Sequence, residues 1–225
     1  MAGLFITATG TDIGKTYVTA RIVKKLREAG INAGYYKAAL SGAEWIDGKL
    51  VPGDAAYVAK ISNLKDEPSS LVSYIYETAV SPHLAALREG NPLDLKVVKE
   101  DYAKSESRFD LVTVEGSGGI ICPIRYDEFH ILLEDIIKTL GLGTIIVSNA
   151  ALGSINACVL TIHYLRAKNI PIHGIILNNY DETDFMQADN RKMMEEISGI
   201  PVVGIVKQNG EELEMDLELL KSFYK

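Results

Sequence analysis

Cysteine is nearly absent from this chain. Cys122 and Cys158 are the only two in 225 residues, and they form no CxxC pair. That excludes a disulfide framework and a cysteine-rich metal centre, and it fits a reducing compartment. Basic residues are in deficit as well. With 23 Lys and Arg against 30 Asp and Glu, the formal charge is −7, so no global positive field draws the protein to nucleic acid or to an anionic membrane. Long apolar runs are missing: stretches such as 144–147 and 175–177 are of strand length, far below the roughly 20 residues of a membrane helix. The opening Met-Ala-Gly-Leu-Phe-Ile has no basic region ahead of a long apolar one. No export signal is therefore expected, and a cytoplasmic location is. The histidines, His83, His130, His163 and His173, lack metal-ligand spacing, and no Ser-His-Asp or Cys-His arrangement suggests itself. There is no repeat, low-complexity tract or linker.

What is there is an ordinary globular balance, 47% hydrophobic and 24% charged, with enough length for a substantial core. Short β-rich runs alternate with helix-period segments, which predicts a parallel sheet with helices on its faces. Strands are expected at 3–8, 32–36, 111–115, 144–149, 173–178 and 202–206; their near-continuous apolar runs suit strands covered on both sides. Helices are expected at 15–29, 82–89, 95–107, 134–140, 154–168, 184–197 and 211–223, each bounded by Gly, Pro, Asn or Ser. Residues 41–73, crowded with Gly42, Gly48, Pro52, Gly53 and Pro68, read as a long loop region at the sheet's edge, with a short helix near Ala55–Ala59.

The strongest signal lies between the first strand and the first helix, in Ala8-Thr-Gly-Thr-Asp-Ile-Gly-Lys-Thr16. Gly14-Lys15-Thr16 offers a triphosphate helix-terminal N–H groups, an ammonium for the β/γ oxygens and a hydroxyl for Mg²⁺. The spacing is a variant, since Thr9 stands five residues before Gly14 and Gly10 four before it. Magnesium beside phosphates usually takes one or two carboxylates. Glu115 ends an apolar strand and precedes Gly116-Ser-Gly-Gly119, at the carboxyl edge where such sheets bind ligands. Asp54, after Pro52-Gly53, reads either as a metal ligand or as a helix N-cap. Lys37, directly after the second strand, is either a solvated lysine or a second fixed cation for phosphoryl transfer. Trp45, the single tryptophan, either packs on the surface or shields the site, with packing favoured. Lys24 and Lys25 read as the wet face of their helix.

These pieces in this order resemble the dethiobiotin synthetase family, in a phosphate loop ending in GKT (Thr11–Thr16), Lys37 with Ser41-Gly42, Asp54, Ser81-Pro-His83, Glu115-Gly-Ser-Gly-Gly119, Leu152-Gly-Ser-Ile-Asn156 and Asn178. The departures are Ala8 for a first loop glycine, Asp12 for a frequent Glu, and Val206-Lys207 where the family has an Ile-Pro pair by the base. The resemblance implies one P-loop nucleotide-binding domain over 1–225, an α/β fold with a mostly parallel central sheet and helices on both faces. It implies closure of a ureido ring, in which 7,8-diaminononanoate, CO₂ (or bicarbonate) and ATP give dethiobiotin, ADP and phosphate. Lys37, Lys15 and Thr11 would be catalytic. Asp12, Ile13, Gly14, Lys15, Thr16, Tyr17, Asp54, Glu115, Gly116, Ser117, Gly118, Asn178 and Asn179 would bind nucleotide; Thr16, Asp54 and Glu115 would hold Mg²⁺. Thr11, Ser41, Gly153, Ser154 and Asn156 would bind substrate, the last three across a homodimer interface. Ser154 could equally just cap its helix. The rival expectation is a dimeric P-loop ATPase acting as a nucleotide switch. Such proteins carry an extra lysine early in the loop, and Thr9–Ile13 has none. Relatives that amidate cobyrinic acid append a glutamine-hydrolysing domain, for which a chain ending at Lys225 is expected to leave no room.

Overall fold

The computed structural model describes residues 2–224. In chain order the elements are β1 (Gly3–Ala8), α1 (Lys15–Glu28), β2 (Ala33–Ser41), β3 (Glu44–Ile46), β4 (Lys49–Val51), α2 (Gly53–Ser62), a 3-10 turn (Pro68–Leu71) and β5 (Val72–Tyr76). Next come α3 (Pro82–Glu89), α4 (Leu95–Arg108), β6 (Leu111–Glu115), β7 (Pro123–Tyr126), β8 (His130–Leu132), α5 (Leu133–Leu140) and β9 (Gly143–Ser148). The last are α6 (Ser154–Ala167), β10 (Ile172–Tyr180), α7 (Phe185–Ser198), β11 (Val202–Lys207) and α8 (Leu217–Ser222).

Seven strands form one sheet in the order β11-β10-β9-β1-β6-β2-β5, and every pairing in it is parallel. All six residues of β1 are buried, as are the apolar residues of the β9 run. That is why these strands read as continuous apolar stretches: helices cover the sheet, leaving no wet side to alternate with. The amphipathic face expected of α1 is real, since Val18, Ile22, Val23 and Leu26 are all buried. The sheet order sets the site. β1 lies between β9 and β6, β2 lies beyond β6, and the carboxyl ends of β1, β2 and β6 therefore open side by side. In register, Ile6 of β1 and Lys37 of β2 both pair with Glu115.

The structure departs from the sequence expectations at several places. The second strand does not stop at 36 but runs on to Ser41, so Lys37 lies inside β2 rather than after it. Residues 41–73 are not one loop: they hold the β3–β4 hairpin, α2 and the start of a seventh strand, β5. At the sheet's edge, β5 buries alternate residues, Val72, Tyr74 and Tyr76. The β7–β8 hairpin was not expected either. The last helix is cut to Leu217–Ser222, because Glu214 exchanges two backbone hydrogen bonds with Ile205 at 2.8 and 3.0 Å and Asp216 caps the shortened helix. Asp54 is no N-cap; Pro52 holds that position and Asp54 sits in the first turn of α2. Trp45 does not pack away, being 61% exposed on its hairpin. Lys24 is half-buried and its ammonium bonds Glu212 at 2.7 Å.

Candidate active site

The phosphate loop owes its shape to one glycine. Gly14 adopts φ +93° as the N-cap of α1, and a Cβ there would lie 2.1 Å from Asn178 Nδ2. Both the left-handed backbone and the contact require glycine. Asn178 approaches because its amide donates to the Ile13 carbonyl at 2.9 Å, so β10 clasps the loop from one side. Asp12 is also left-handed, φ 59°, a conformation that aspartate tolerates better than most side chains. The glycine loop after β6 closes from the other side: a Cβ on Gly119 would meet Gly10 Cα at 3.5 Å.

Beneath the loop lies a charged network. The Thr16 hydroxyl donates to Glu115 Oε1 at 2.7 Å, and Lys37 Nζ donates to the same oxygen at 2.9 Å and to Asp54 Oδ2 at 2.5 Å. Tyr35 Oη donates to Glu115 Oε2 at 2.9 Å. Lys37 is 4% exposed and Glu115 2%. Burial alone would lower the Lys37 ammonium's pKa, but the charges of Glu115 and Asp54 outweigh it and raise the value. The same balance runs in reverse at Asp54, where burial pushes up and Lys37 wins, holding the carboxyl below its ordinary range. Lys15 differs. Its pKa is lowered, by burial first and then by the repulsion of Lys37. Among the described residues Lys15 makes no ion pair.

The network borders a cleft of about 790 Å³ lined by Thr11, Asp12, Gly14, Lys15, Thr16 and Tyr17 from the loop and α1, with Lys37, Ser41, Asp54, Tyr57, Ser81, Glu115, Ser117 and Gly118 opposite. A second, polar pocket of about 410 Å³ adjoins it, shared at Asp12, Gly14 and Tyr17 and closed by Ile13, Asn149, Asn178, Asn179, Lys207 and Asn209. An ammonium and helix N–H groups at one end of a cleft, two carboxylates and a hydroxyl at its side and a row of amides beyond it form an arrangement suited to a triphosphate, a hard cation and a base in sequence.

Comparison with known proteins supplies the family. The family model described as AAA domain matches residues 2–213. The chain is 51% identical over 223 residues to the ATP-dependent dethiobiotin synthetase BioD of Clostridium botulinum (strain Loch Maree / Type A3), covering 99% of this chain and 98% of that one. It is likewise 51% identical over 222 residues to the protein of the same name from strain Eklund 17B / Type B, with 99% and 97% covered. The chain belongs to the ATP-dependent dethiobiotin synthetase family. Solved structures share the fold at lower identity. The MinC:MinD cell division protein complex of Aquifex aeolicus superposes with a TM-score of 0.58 at 14% identity, covering 99% of this chain and 86% of that one. A ParA family ATPase from Chlorobium tepidum gives 0.58 at 15%, covering 99% and 90%.

Of the residues expected from the likeness to dethiobiotin synthetases, Thr11, Asp12, Gly14, Lys15, Thr16, Tyr17, Lys37, Ser41, Asp54, Glu115, Ser117 and Gly118 share the main cleft. Ile13, Asn178 and Asn179 line the adjoining pocket. Ser41 Oγ already donates to the Val80 carbonyl at 2.5 Å, and Ser117 Oγ is buried and donates to Ala39. Gly116 touches neither pocket; a Cβ there would strike Phe5 and Leu133 at 2.9 Å, so its need is packing. Gly153, Ser154 and Asn156 line neither pocket of their own chain. Ser154 does not cap α6, since Gly153 is the N-cap, and its buried hydroxyl has no partner. Of the two residues departing from the family's base-side pair, Val206 is buried while Lys207 lines the pocket and pairs with Glu182 and Glu214 at 3.2 and 3.1 Å.

Sequence reasoning missed Tyr35, Arg21 and Tyr57. Tyr35 carried a usable signal, standing two residues before Lys37 and thus on the same face of β2. Arg21 is buried, its guanidinium 3.1 Å from the Tyr17 ring centroid and hydrogen-bonded to Tyr57 Oη at 3.0 Å. It ties α1 to α2, and nothing local in the sequence marks that. For a cation, Thr16, Asp54 and Glu115 supply only hard oxygen donors, which suit Mg²⁺. Among the described residues no group of three or more His, Cys, Asp or Glu could hold a metal ion.

Proposed function

We propose that the protein closes the ureido ring of dethiobiotin from 7,8-diaminononanoate, CO₂ and ATP, releasing ADP and phosphate. The single observation that carries this is the placement of two lysines, Lys15 and Lys37, on one cleft with the Thr16–Glu115–Asp54 oxygen set. A phosphate-binding protein needs only the first lysine; a phosphoryl transfer to an anionic acceptor uses both.

Each step then has a residue. The attacking amine must be neutral, and two nearby ammonium groups disfavour its protonated form. The amine lone pair forms the bond to CO₂ and the amine loses a proton, giving a carbamate anion whose charge Lys15 and Lys37 stabilise. A carbamate oxygen attacks the γ-phosphorus as the bond to ADP breaks. The second amine then attacks the carbonyl carbon and gives up a proton as the phosphate leaves, closing the ring; holding both amines in one cleft makes this step intramolecular. Ser41, donating to Val80, keeps lone pairs to accept an amine N–H, and Thr11 faces the same space. Thr16, Asp54 and Glu115 would hold a Mg²⁺, which would supply charge neutralisation at the phosphates. Asn178 and Asn179 offer amides to the base.

The likeness to the family puts the substrate's carboxylate tail near Gly153–Asn156, where an anion needs a cation or free donors. Ser154, buried, unpartnered and at the N-terminus of α6, supplies such donors. It lies outside the cleft of its own chain, so we place it on a partner subunit of a homodimer with shared sites. No described helix is long and apolar enough to cross a membrane; the cytoplasmic location rests on the synthetase reading.

ADP release from ATP and Mg²⁺ tests the reading. It should depend on 7,8-diaminononanoate plus bicarbonate; hydrolysis indifferent to the diamine would sink the synthetase. Lys37→Ala should lower kcat by on the order of 10²–10³, the loss typical of one pre-placed stabilising donor.

A further inference from the structure

Lys37 is placed where it cannot yet do what the mechanism asks. Its ammonium lies 2.5 Å from Asp54 Oδ2 and 2.9 Å from Glu115 Oε1, the two carboxylates that would serve a metal ion. Both Glu115 oxygens are engaged: Oε1 accepts from Thr16 as well as Lys37, and Oε2 accepts from Tyr35. A divalent ion with oxygen ligands at about 2.1 Å needs the space between these carboxylates. An ammonium already within hydrogen-bond distance of both stands in that space, and like charges so close repel strongly.

We propose that Lys37 is the resident counter-cation of the metal site. Divalent ion and Lys37 ammonium exclude one another between Glu115 and Asp54, and entry of the ion with its nucleotide moves Lys37 into the cleft, where its charge becomes available to the substrate anion. The inference rests on the proposed synthetase function, because it takes Thr16, Asp54 and Glu115 as the metal's donors.

Charge arithmetic supports the exchange. Lys15 and Lys37 balance Asp54 and Glu115, so the four side chains sum to zero. A divalent ion alone would leave the site at plus two, whereas an ion arriving with a triphosphate would not. Metal and nucleotide should therefore bind with positive coupling, each raising the other's affinity by the same factor. The displaced ammonium has somewhere to go, since Lys37 lines the cleft of about 790 Å³. Stability alone is a poor reason for the arrangement, because a buried ion pair seldom outperforms apolar packing of the same shape.

Mn²⁺ binding in the absence of nucleotide, measured by electron paramagnetic resonance or calorimetry, decides the point. Lys37→Met should bind Mn²⁺ tighter than wild type by on the order of tenfold or more, since two carboxylates lose their competitor. Lys37→Arg, which keeps the charge, should stay within about threefold of wild type, and a non-hydrolysable ATP analogue should tighten Mn²⁺ binding more in wild type than in Lys37→Met. Equal or weaker Mn²⁺ affinity in a folded Lys37→Met overturns the proposal. If that variant does not fold, a wild-type structure with Mn²⁺ and the analogue decides: Lys37 withdrawn from Asp54 supports the exchange, and Lys37 still bonded to both carboxylates ends it. Diamine-dependent ADP release with a flat Mn²⁺ comparison sinks the exchange alone; diamine-independent release sinks the synthetase reading and leaves the metal comparison standing.

Discussion

Replacing Glu115 by Gln tests the buried network most directly, because it keeps the shape and removes the charge. The carboxylate accepts three side-chain hydrogen bonds, from Thr16, Lys37 and Tyr35. A glutamine can keep its oxygen towards Thr16 and Lys37 while the Tyr35 hydroxyl rotates to accept from the new amide. Each bond to a charged group is worth about 1 kcal/mol more than its neutral counterpart, which gives a loss of roughly 3 kcal/mol. Losing one partner of a buried ion pair costs about 3–5 kcal/mol, and the lower end applies because Lys37 retains Asp54. For a chain of this size the melting temperature should fall by roughly 6–12 °C. Urea unfolding followed by circular dichroism is the assay; Trp45, 61% exposed, would report the transition poorly by fluorescence. A cycle with Lys37→Met sharpens it, since Lys37→Met should cost less by about 2 kcal/mol in the Glu115→Gln background than in wild type. A loss under about 1 kcal/mol for Glu115→Gln, or additive costs in the cycle, would refute the charged network as the source of the stability.

Asp54 gives a pH signature. Its folded pKa lies below the ordinary value of 3.8 because Lys37 outweighs burial, so the stability of the pair is complete above pH 3.8 and is lost as pH falls through the lower folded value. The stability gap between wild type and Asp54→Asn should accordingly be constant from pH 7 down to pH 5 and close in acid, read by urea melts at each pH. Gly14→Ala, forced to φ +93° with its Cβ 2.1 Å from Asn178 Nδ2, should cost more than about 1 kcal/mol and abolish measurable ATP binding; adding Asn178→Ala should restore only part. Ser154→Ala removes a buried hydroxyl without a partner and should leave stability within about 0.5 kcal/mol while raising the KM for the diamine. An unchanged KM would remove Ser154 from the substrate site.

Much of the frame was legible because it is locally encoded. The ends of β1, β6 and α3 coincide with the boundaries read from sequence, each set by an apolar run or a Pro and Gly boundary. β5, Val-Ser-Tyr-Ile-Tyr, carries β-forming residues, but it begins at the end of the Gly- and Pro-rich stretch 41–73, whose turn signals masked its start. The second strand was cut short for a more telling reason. A lysine in a run normally marks solvent, and Lys37 is buried in β2 only because β6 offers Glu115 at the matching register position. That compensation lies 78 residues away in sequence, where no local pattern can show it. The same holds for Asp54, whose helix position suggested a cap until the lysine it pairs with was placed.

Fold alone would not have separated the synthetase from its rival. Structures of a cell division protein complex and a ParA family ATPase superpose over nearly the whole chain, and all that such a likeness carries is the fold. The difference lies in where the second cation comes from. The rival switch proteins are expected to carry it as a lysine early in the phosphate loop; none stands between Thr9 and Ile13. Here the second ammonium is rooted in the neighbouring strand, buried, and held by carboxylates of β6 and α2. A cation rooted in this chain's own strand and bordering the cleft is placed to serve an anion made and consumed there once its carboxylate partners release it. That geometric distinction, more than the shared sheet, favours chemistry on a small acceptor over a nucleotide switch.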